Sequence, residues 1–203
     1  MAFIDLTPGT LLSPVPAVMV SCASETQRPN IITIAWAGTV NSQPPMVSIS
    51  VRKERFSHDI IADSGEFVVN LFGKAQMKPL DWCGVRSGWD YDKFAACNLT
   101  PVAATGMKYA PAIAECPLYL ACRVEQMLEL GSHDMFLGRI VGMGVQEQLT
   151  DETGRIHLED AELVSYSHGI YGAIGEPLGF FGYSVAAPDV LERRMQELRK
   201  EKK

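Results

Sequence analysis

Residues 28–58 read RPNIITIAWAGTVNSQPPMVSISVRKERFSH, and this stretch decides the fold. It holds two apolar runs, Ile31–Trp36 and Met46–Val51, and a connector between them that is rich in Gly, Asn, Ser and Pro. The first run is rich in β-branched residues. The second alternates apolar residues with serines, which is the period of a strand with two different faces. The stretch therefore predicts two strands, joined by a turn-rich connector, that lead into a cationic segment.

The cationic segment is a candidate anion site. Arg52, Lys53 and Arg55 are followed at once by Ser57 and His58. Arginine forks, a lysine ammonium and hydroxyl groups are donors that suit a phosphate, and a helix starting here would add the partial positive charge of its N-terminus. Solvated surface cations at the end of a strand would give the same pattern, so both interpretations stay open.

Polar and aromatic groups on the first strand form a second candidate feature. Asn30, Thr33 and Trp36 offer an amide, a hydroxyl and a flat apolar ring, which suit the polar edge and the ring system of a flavin. The alternative is a capping asparagine and a core tryptophan.

The histidines fall into two groups. His133 lies in a predicted hairpin turn beside Asp134, where an exposed turn residue is the alternative to a functional one. His157 and His168 have no clustered partners in the sequence and are interpreted as surface or structural residues. No set of histidines and cysteines has metal-ligand spacing, so no metal site is predicted.

Composition limits the function classes. The chain has 203 residues, 47% of them hydrophobic, with a net charge of −6, which predicts one globular domain and argues against nucleic acid as a partner. Five cysteines without a CxxC motif predict reduced thiols rather than a disulfide framework. We predict a cytoplasmic protein without a membrane segment, because no signal peptide or long apolar run is visible.

The remaining pattern predicts a mainly β protein with α-helices, a β-barrel-like single domain over residues 1–203. The helix at 56–64, with Phe56 or Ser57 near its N-cap, would permit a crossover between strands. The segment 84–94 is predicted as a loop. Further predicted strands are 12–23, 67–72, 118–130 and 134–145, the segment 161–171 is predicted as a further strand or extended segment, and further predicted helices are 75–82 and 188–203.

An ordered set of motifs resembles the flavin reductase-like family with its FMN-binding split β-barrel, and in particular its flavoredoxin-type members. Ser132 stands where the family's hairpin motif usually has Asp, which leaves the orientation of the following histidine open. The motifs are Asn30–Trp36, Pro44–Val51, Ser57-His58, Ser64–Leu71, Asp92–Phe94, Gly131–Asp134 with Phe136–Ile140, Tyr171–Glu176 and Phe181–Ser184.

The resemblance implies a homodimer that holds FMN noncovalently at or near the subunit interface, with a split-barrel core at about 10–185 and a helical tail at 188–203. It implies a catalytic role for His133 near the reactive face of the ring. The implied FMN-binding residues are Asn30, Thr33, Ala35 and Trp36 at the ring and ribityl chain, Ser48, Ser50 and Val51 at the ring edge, Arg52, Lys53, Ser57 and His58 at the phosphate, and Lys93 and Phe94 from the following loop.

The implied function is an oxidoreductase that passes electrons from NADH, NADPH or a reduced protein through FMN to flavin, ferric or protein acceptors. One alternative is a flavoredoxin-like electron-transfer protein that only a protein partner reduces. The other is a non-catalytic split-barrel dimer that binds flavin or haem.

Overall fold

A computed structural model describes residues 1–200, so the last three residues of the predicted tail at 188–203 lie outside the described residues. The described chain forms two compact units, Met1–Ala173 and a second unit from Ile174 onwards. The strands are β1 Val15–Pro16, β2 Val18–Cys22, β3 Asn30–Ile34, β4 Ala37–Ser42, β5 Pro45–Arg52, β6 Glu66–Leu71, β7 Pro101–Val102, β8 Ala112–Ile113, β9 Leu118–Glu129, β10 His133–Val145, β11 Val164–Ser167 and β12 Ile170–Ala173. The α-helices are α1 Phe56–Ser64, α2 Met77–Val85, α3 Lys93–Cys97 and α4 Pro188–Lys200.

Seven strands form the main sheet, in the order β3-β2-β6-β9-β10-β5-β4, and all neighbours are antiparallel. β5 and β6 follow each other in sequence but are separated by β9 and β10, so α1 makes the predicted crossover. The mainly β split-barrel fold with short helices and a C-terminal helix is confirmed. The boundary of a single domain over residues 1–203 stays a prediction.

β5 shows the two faces that its sequence predicts. Val47, Ile49 and Val51 are buried in the core, whereas Ser48 and Ser50 are half-buried on the opposite face. Burying each apolar side chain stabilises the fold by roughly 1.5–3 kcal/mol, which fixes the register of the strand. The serine face is thereby directed away from the core.

Three local predictions are wrong. The connector is strand β4, an edge strand whose polar residues face solvent and whose turn is confined to Gln43–Pro44. The predicted loop 84–94 includes the ends of two helices, and the predicted strand or extended segment 161–171 is the hairpin β11–β12. Helix α1 spans Phe56–Ser64 as predicted, and its N-cap is Arg55, directly before Phe56.

A smaller sheet, β1-β11-β12, stands apart from the main sheet. Val15 pairs with Tyr166, and the Ser13 and Ser167 hydroxyl oxygens are 2.6 Å apart, so the N-terminal segment lies along the hairpin.

The second unit contains a 3₁₀-helix, Tyr183–Val185, and α4. Within it, the Arg194 guanidinium lies 4.4 Å from the centroid of the Phe180 ring. In residues 1–200 there is no helix of the length and apolar character needed to cross a membrane.

Candidate functional site

A cleft of about 540 Å³ opens in the first unit. Its first wall comes from β3, the turn after it, β5 and the start of β10. Its second wall comes from the N-terminal segment and the β11–β12 hairpin, and α2 forms the remaining side. This volume is in the range of pockets that bind small molecules and cofactors.

Half of the site residues predicted from the sequence lie on the first wall. Strand pairing brings two of them together, because Arg52 of β5 is directly opposite His133 of β10. The Ser50 amide also donates to the Trp36 carbonyl at 3.0 Å, which fastens the turn after β3 to β5. The predicted residues that line the cleft are Thr33, Ala35, Trp36, Ser50, Val51, Arg52 and His133.

Trp36 and His133 form an aromatic pair, with ring centroids 4.5 Å apart and an interplanar angle of 52°. Trp36 is 46% exposed, so much of its ring is free to contact a ligand. The His133 Nδ1 lies 2.9 Å from the Ser132 hydroxyl, which leaves Nε2 for a ligand. Burial, together with the nearby Arg52 charge, lowers the pKa of His133, so its imidazole is neutral at pH 7.

α2 lies directly on β3 at Thr33. The Thr33 hydroxyl donates to the Leu80 carbonyl. A Cβ at Gly84 would come within 3.1 Å of the Thr33 Cβ, so the absence of a side chain there permits this close approach. The hydroxyl proton of Thr33 is thus engaged, and its oxygen lone pairs remain available.

The three cations of the Arg52–Arg55 segment point to different places. Lys53 Nζ lies 2.9 Å from Glu129 Oε2 and 3.5 Å from Asp134 Oδ1, away from the cleft lining. Arg52 lines the cleft and pairs with Glu54 at 3.0 Å. Arg55, which belongs to the candidate anion segment but not to the FMN-binding residues implied by the resemblance, also lines the cleft and has no ion-pair partner within residues 1–200.

Arg55 belongs to the same cationic run, so its residue type was visible in the sequence. Its direction was not, because it depends on the turn in which the Arg55 amide donates to the Arg52 carbonyl at 3.0 Å.

Asn30 and Ser57 are buried and do not line the cleft. The Asn30 amide nitrogen donates to the Ser57 hydroxyl at 2.8 Å, which ties β3 to the first turn of α1. The Asn30 Oδ1 has no hydrogen-bond partner in the described part of the chain.

His58 is also buried outside the cleft lining, between two carboxylates. Its Nε2 lies 2.8 Å from Asp134 Oδ2, and its Nδ1 lies 3.0 Å from Asp59 Oδ1. Burial alone would lower the pKa of His58, but the hydrogen bonds to Asp59 and Asp134 outweigh it and raise the pKa. His58 therefore links α1 to the start of β10.

Ser48, Lys93 and Phe94 likewise fall outside the cleft lining. The Ser48 hydroxyl is 3.4 Å from the Gly38 carbonyl. The buried Lys93 ammonium donates to the Cys83 carbonyl at 2.7 Å, and burial lowers the pKa of Lys93 to about 8. Phe94 packs in the core.

Sequence reasoning missed the second wall of the cleft. His168, predicted as a surface or structural residue, lines the cleft together with Tyr166 and Tyr171. The Tyr171 hydroxyl donates to Asp81 of α2 at 3.1 Å. Reading this region as one strand concealed the hairpin that presents His168.

Comparisons with known proteins identify relatives over most of the first unit. A family model described as "Flavin reductase like domain" matches residues 11–174. The structure of flavoredoxin from Desulfovibrio vulgaris (Miyazaki F) has a TM-score of 0.82 and 30% identity, and the match covers 91% of this chain and 99% of that one.

Curated proteins also match at the sequence level, two of them as follows. An uncharacterized protein of Archaeoglobus fulgidus is 31% identical over 118 residues, which are 58% of this chain and 66%, just under two thirds, of that protein. The NADH:riboflavin 5'-phosphate oxidoreductase of Streptomyces pristinaespiralis is 28% identical over 128 residues, which are 63% of this chain and 68% of that protein.

Proposed function

The chain belongs to the flavin reductase-like family, with flavoredoxin-type relatives, and from that premise we propose that it is an FMN-dependent oxidoreductase. It takes electrons from NADH, NADPH or a reduced protein and passes them to flavin, ferric or protein acceptors. It works in the cytoplasm, and its five free cysteines suit a reducing compartment.

One observation carries the proposal: a single cleft combines the Trp36–His133 aromatic pair with the Arg52 and Arg55 cations. FMN is a flat ring system joined to a phosphate, so it needs both an apolar surface and charge-assisted donors. Helix α1 begins directly after Arg55, so the partial positive charge of its N-terminus lies next to these cations. The residues present therefore fit FMN.

Bound FMN would supply the hydride and electron chemistry, and the protein would hold and orient it. Thr33, Ala35 and Trp36 would contact the ring, together with Ser50 and Val51. Arg52 and Arg55 would bind the phosphate.

His133 would act at the reacting face. Its neutral imidazole offers Nε2 as a hydrogen-bonding group toward the ring or the electron donor. The buried Asn30–Ser57 and His58–Asp134 contacts would hold the α1 N-terminus and the β9–β10 hairpin in place, and so position the groups that bind FMN.

A second candidate function is electron transfer without direct reduction by a nicotinamide nucleotide. The structural match to a flavoredoxin over nearly the whole chain favours this alternative. In that case only a reduced protein would reduce the bound flavin. A non-catalytic dimer that binds flavin or haem is the third possibility. Such a protein would use the same cleft to bind the cofactor but would catalyse no reaction.

The visible spectrum tests these proposals in sequence. Purified protein titrated with FMN should give a saturable change in flavin absorbance. Anaerobic addition of NADH or NADPH should then bleach the flavin band. Bleaching only by a reduced protein partner would support the electron-transfer alternative, and a protein that cannot be loaded with FMN would contradict the proposal.

A further inference from the structure

The second wall of the cleft belongs to a structural layer separate from the first wall. β11 pairs with β1 and β12, and none of these strands pairs with the main sheet. The Ser13–Ser167 hydrogen bond holds the N-terminal segment against the end of the hairpin. The second wall is thus an ordered surface, which strand pairing and the hydrogen bond at the hairpin tip both stabilise.

The hairpin turn presents one imidazole. Ser167 pairs with Ile170, so the connection is only His168-Gly169. Both residues have positive φ, 48° and 82°, as a type I′ turn requires. Asn-Gly, Asp-Gly and Gly-Gly are the preferred sequences for such a turn. The turn itself therefore needs no imidazole at position 168.

The His168 side chain has no partner of its own. It is exposed, lines the cleft and makes no hydrogen bond, ion pair or ring contact with any residue in 1–200. The other histidines differ, because His58 and His157 each lie between two carboxylates and His133 contacts Ser132. Both ring nitrogens of His168 are available to a ligand.

We propose that His168 binds the nicotinamide nucleotide that reduces the flavin, by donating an imidazole N–H to an oxygen of that nucleotide. This inference rests on the proposed function. The residues proposed to bind FMN lie on the first wall, and His168 faces the same cleft from the second wall, so a nucleotide that enters the cleft beside FMN would come within reach of His168. His168 is the side chain of this wall with a free imidazole donor, so it determines affinity for the donor rather than for FMN.

Two substitutions separate this role from a structural one. His168→Asn keeps a residue favoured in the turn and retains a shorter hydrogen-bond donor, whereas His168→Gly keeps the positive φ and removes the donor. For His168→Gly we expect a roughly 5- to 10-fold higher KM for the nucleotide, the effect of one lost hydrogen bond, with kcat and the Kd for FMN within about 2-fold. His168→Asn should recover part of the KM.

The matched control is His157→Asn, because His157 lies outside the cleft lining and is paired with Asp151 and Glu159. It should leave KM, kcat and the Kd for FMN unchanged. The measurements are flavin titration for the Kd and steady-state kinetics with NADH and NADPH for KM and kcat, with stopped-flow reduction giving the apparent Kd for each nucleotide.

Three results would overturn the inference. The first is an unchanged KM in both His168 variants. The second is a loss of FMN affinity in place of the KM effect. The third is a wild-type protein that binds FMN but that neither nucleotide reduces, which leaves the electron-transfer function standing. A wild-type protein that binds no FMN contradicts the proposed function itself, and the inference with it.

Discussion

Arg52 and Arg55 lie at the cleft because a tight turn separates them, whereas Lys53 between them pairs with Glu129 and Asp134. We expect Arg55→Ala to raise the Kd for FMN roughly 10- to 100-fold, the effect of losing a hydrogen bond to a charged group. Lys53→Ala is the matched control and should change the Kd by less than about 3-fold. Equal weakening by the two substitutions would favour the phosphate set predicted from the sequence over the one inferred from the structure.

His133 is expected to affect turnover more than cofactor affinity. Its imidazole contacts Trp36 and is neutral at pH 7, so it can donate or accept a hydrogen bond without adding charge to the cleft. General acid–base groups typically contribute roughly 100- to 10,000-fold to a reaction rate. His133→Ala should therefore lower kcat at least about 10-fold, with the Kd for FMN within about 3-fold. Steady-state kinetics and flavin titration check this, and the reverse pattern would assign His133 to FMN binding alone.

The His58–Asp134 pair predicts a pH dependence of stability. The pKa of His58 is raised, so its contribution is full below the ordinary histidine value of about 6.5 and is lost as pH rises through the higher folded value. Burial would raise the pKa of Asp134, but the contacts with His58 and Lys53 outweigh burial and lower it. The contribution of Asp134 to the free energy of unfolding is therefore lost only in acid. Urea unfolding should show a free energy of unfolding that falls from pH 6.5 to pH 7.5, below the pH range in which the lowered pKa of Lys93 has the opposite effect.

The carboxylate variants test that assignment. Asp134→Asn should reduce the fall between pH 6.5 and pH 7.5, because Asp134 is the buried partner of His58. Asp59→Asn removes an exposed partner and should have the smaller effect. A larger effect for Asp59→Asn would place the linkage at the surface.

At the level of elements, the sequence predicted what depends on local period. The alternation Met46–Val51 indicated a two-faced strand, and the helix at 56–64 correctly suggested a crossover. Strand β4 was not predicted, because an edge strand buries few side chains and needs no apolar alternation. Its residues Gly38, Asn41 and Ser42 are types that are common in turns. The β11–β12 hairpin was not predicted, because its turn has His168 at the position where Asn, Asp or Gly is the usual sequence signal.

A glycine on β10, Gly138, tests how tightly this strand is packed. A Cβ at Gly138 would come within 2.5 Å of the buried Phe67 ring and 3.1 Å of the Cys122 Cβ. Gly138→Ala should therefore destabilise the protein by about 1–3 kcal/mol through overpacking. Gly38→Ala on β4 is the control, because a Cβ there meets nothing within 4 Å. The urea midpoints of the two variants measure the difference, and equal midpoints would show that the core accommodates the methyl group.

For the whole molecule, the split-barrel fold was predicted from the resemblance that the ordered motifs carry, and the strand order was not predicted. β6 lies between β2 and β9, and such pairings between distant residues leave no local pattern in the sequence. Packing between distant residues also decides which of the predicted site residues line the cleft and which are buried elsewhere. Asn30, Ser57 and His58 belong to the right segments, but three-dimensional packing directs them inward and brings Arg55 and His168 to the cleft.

The proposed homodimer is the last property that belongs to the whole molecule. Phe3, Ile4 and Leu6 are exposed, and contiguous exposed apolar side chains mark interaction surfaces. They lie a few residues before Thr10 and Leu12, which line the cleft, so we expect a partner that covers residues 3–6 to lie close to the cleft. Assembly and cofactor affinity should therefore be coupled.

Light scattering should give a mass twice the 22.3 kDa of the chain, and dilution should weaken FMN binding as the dimer dissociates. Ile4→Glu should shift the protein toward the monomer and raise the Kd for FMN together, because a buried unpaired carboxylate opposes association. Val40→Glu changes an apolar residue that is 50% exposed on the edge strand β4 and should leave both properties unchanged. A monomer that binds FMN with undiminished affinity would separate the cleft from the interface and confine the cofactor site to one subunit.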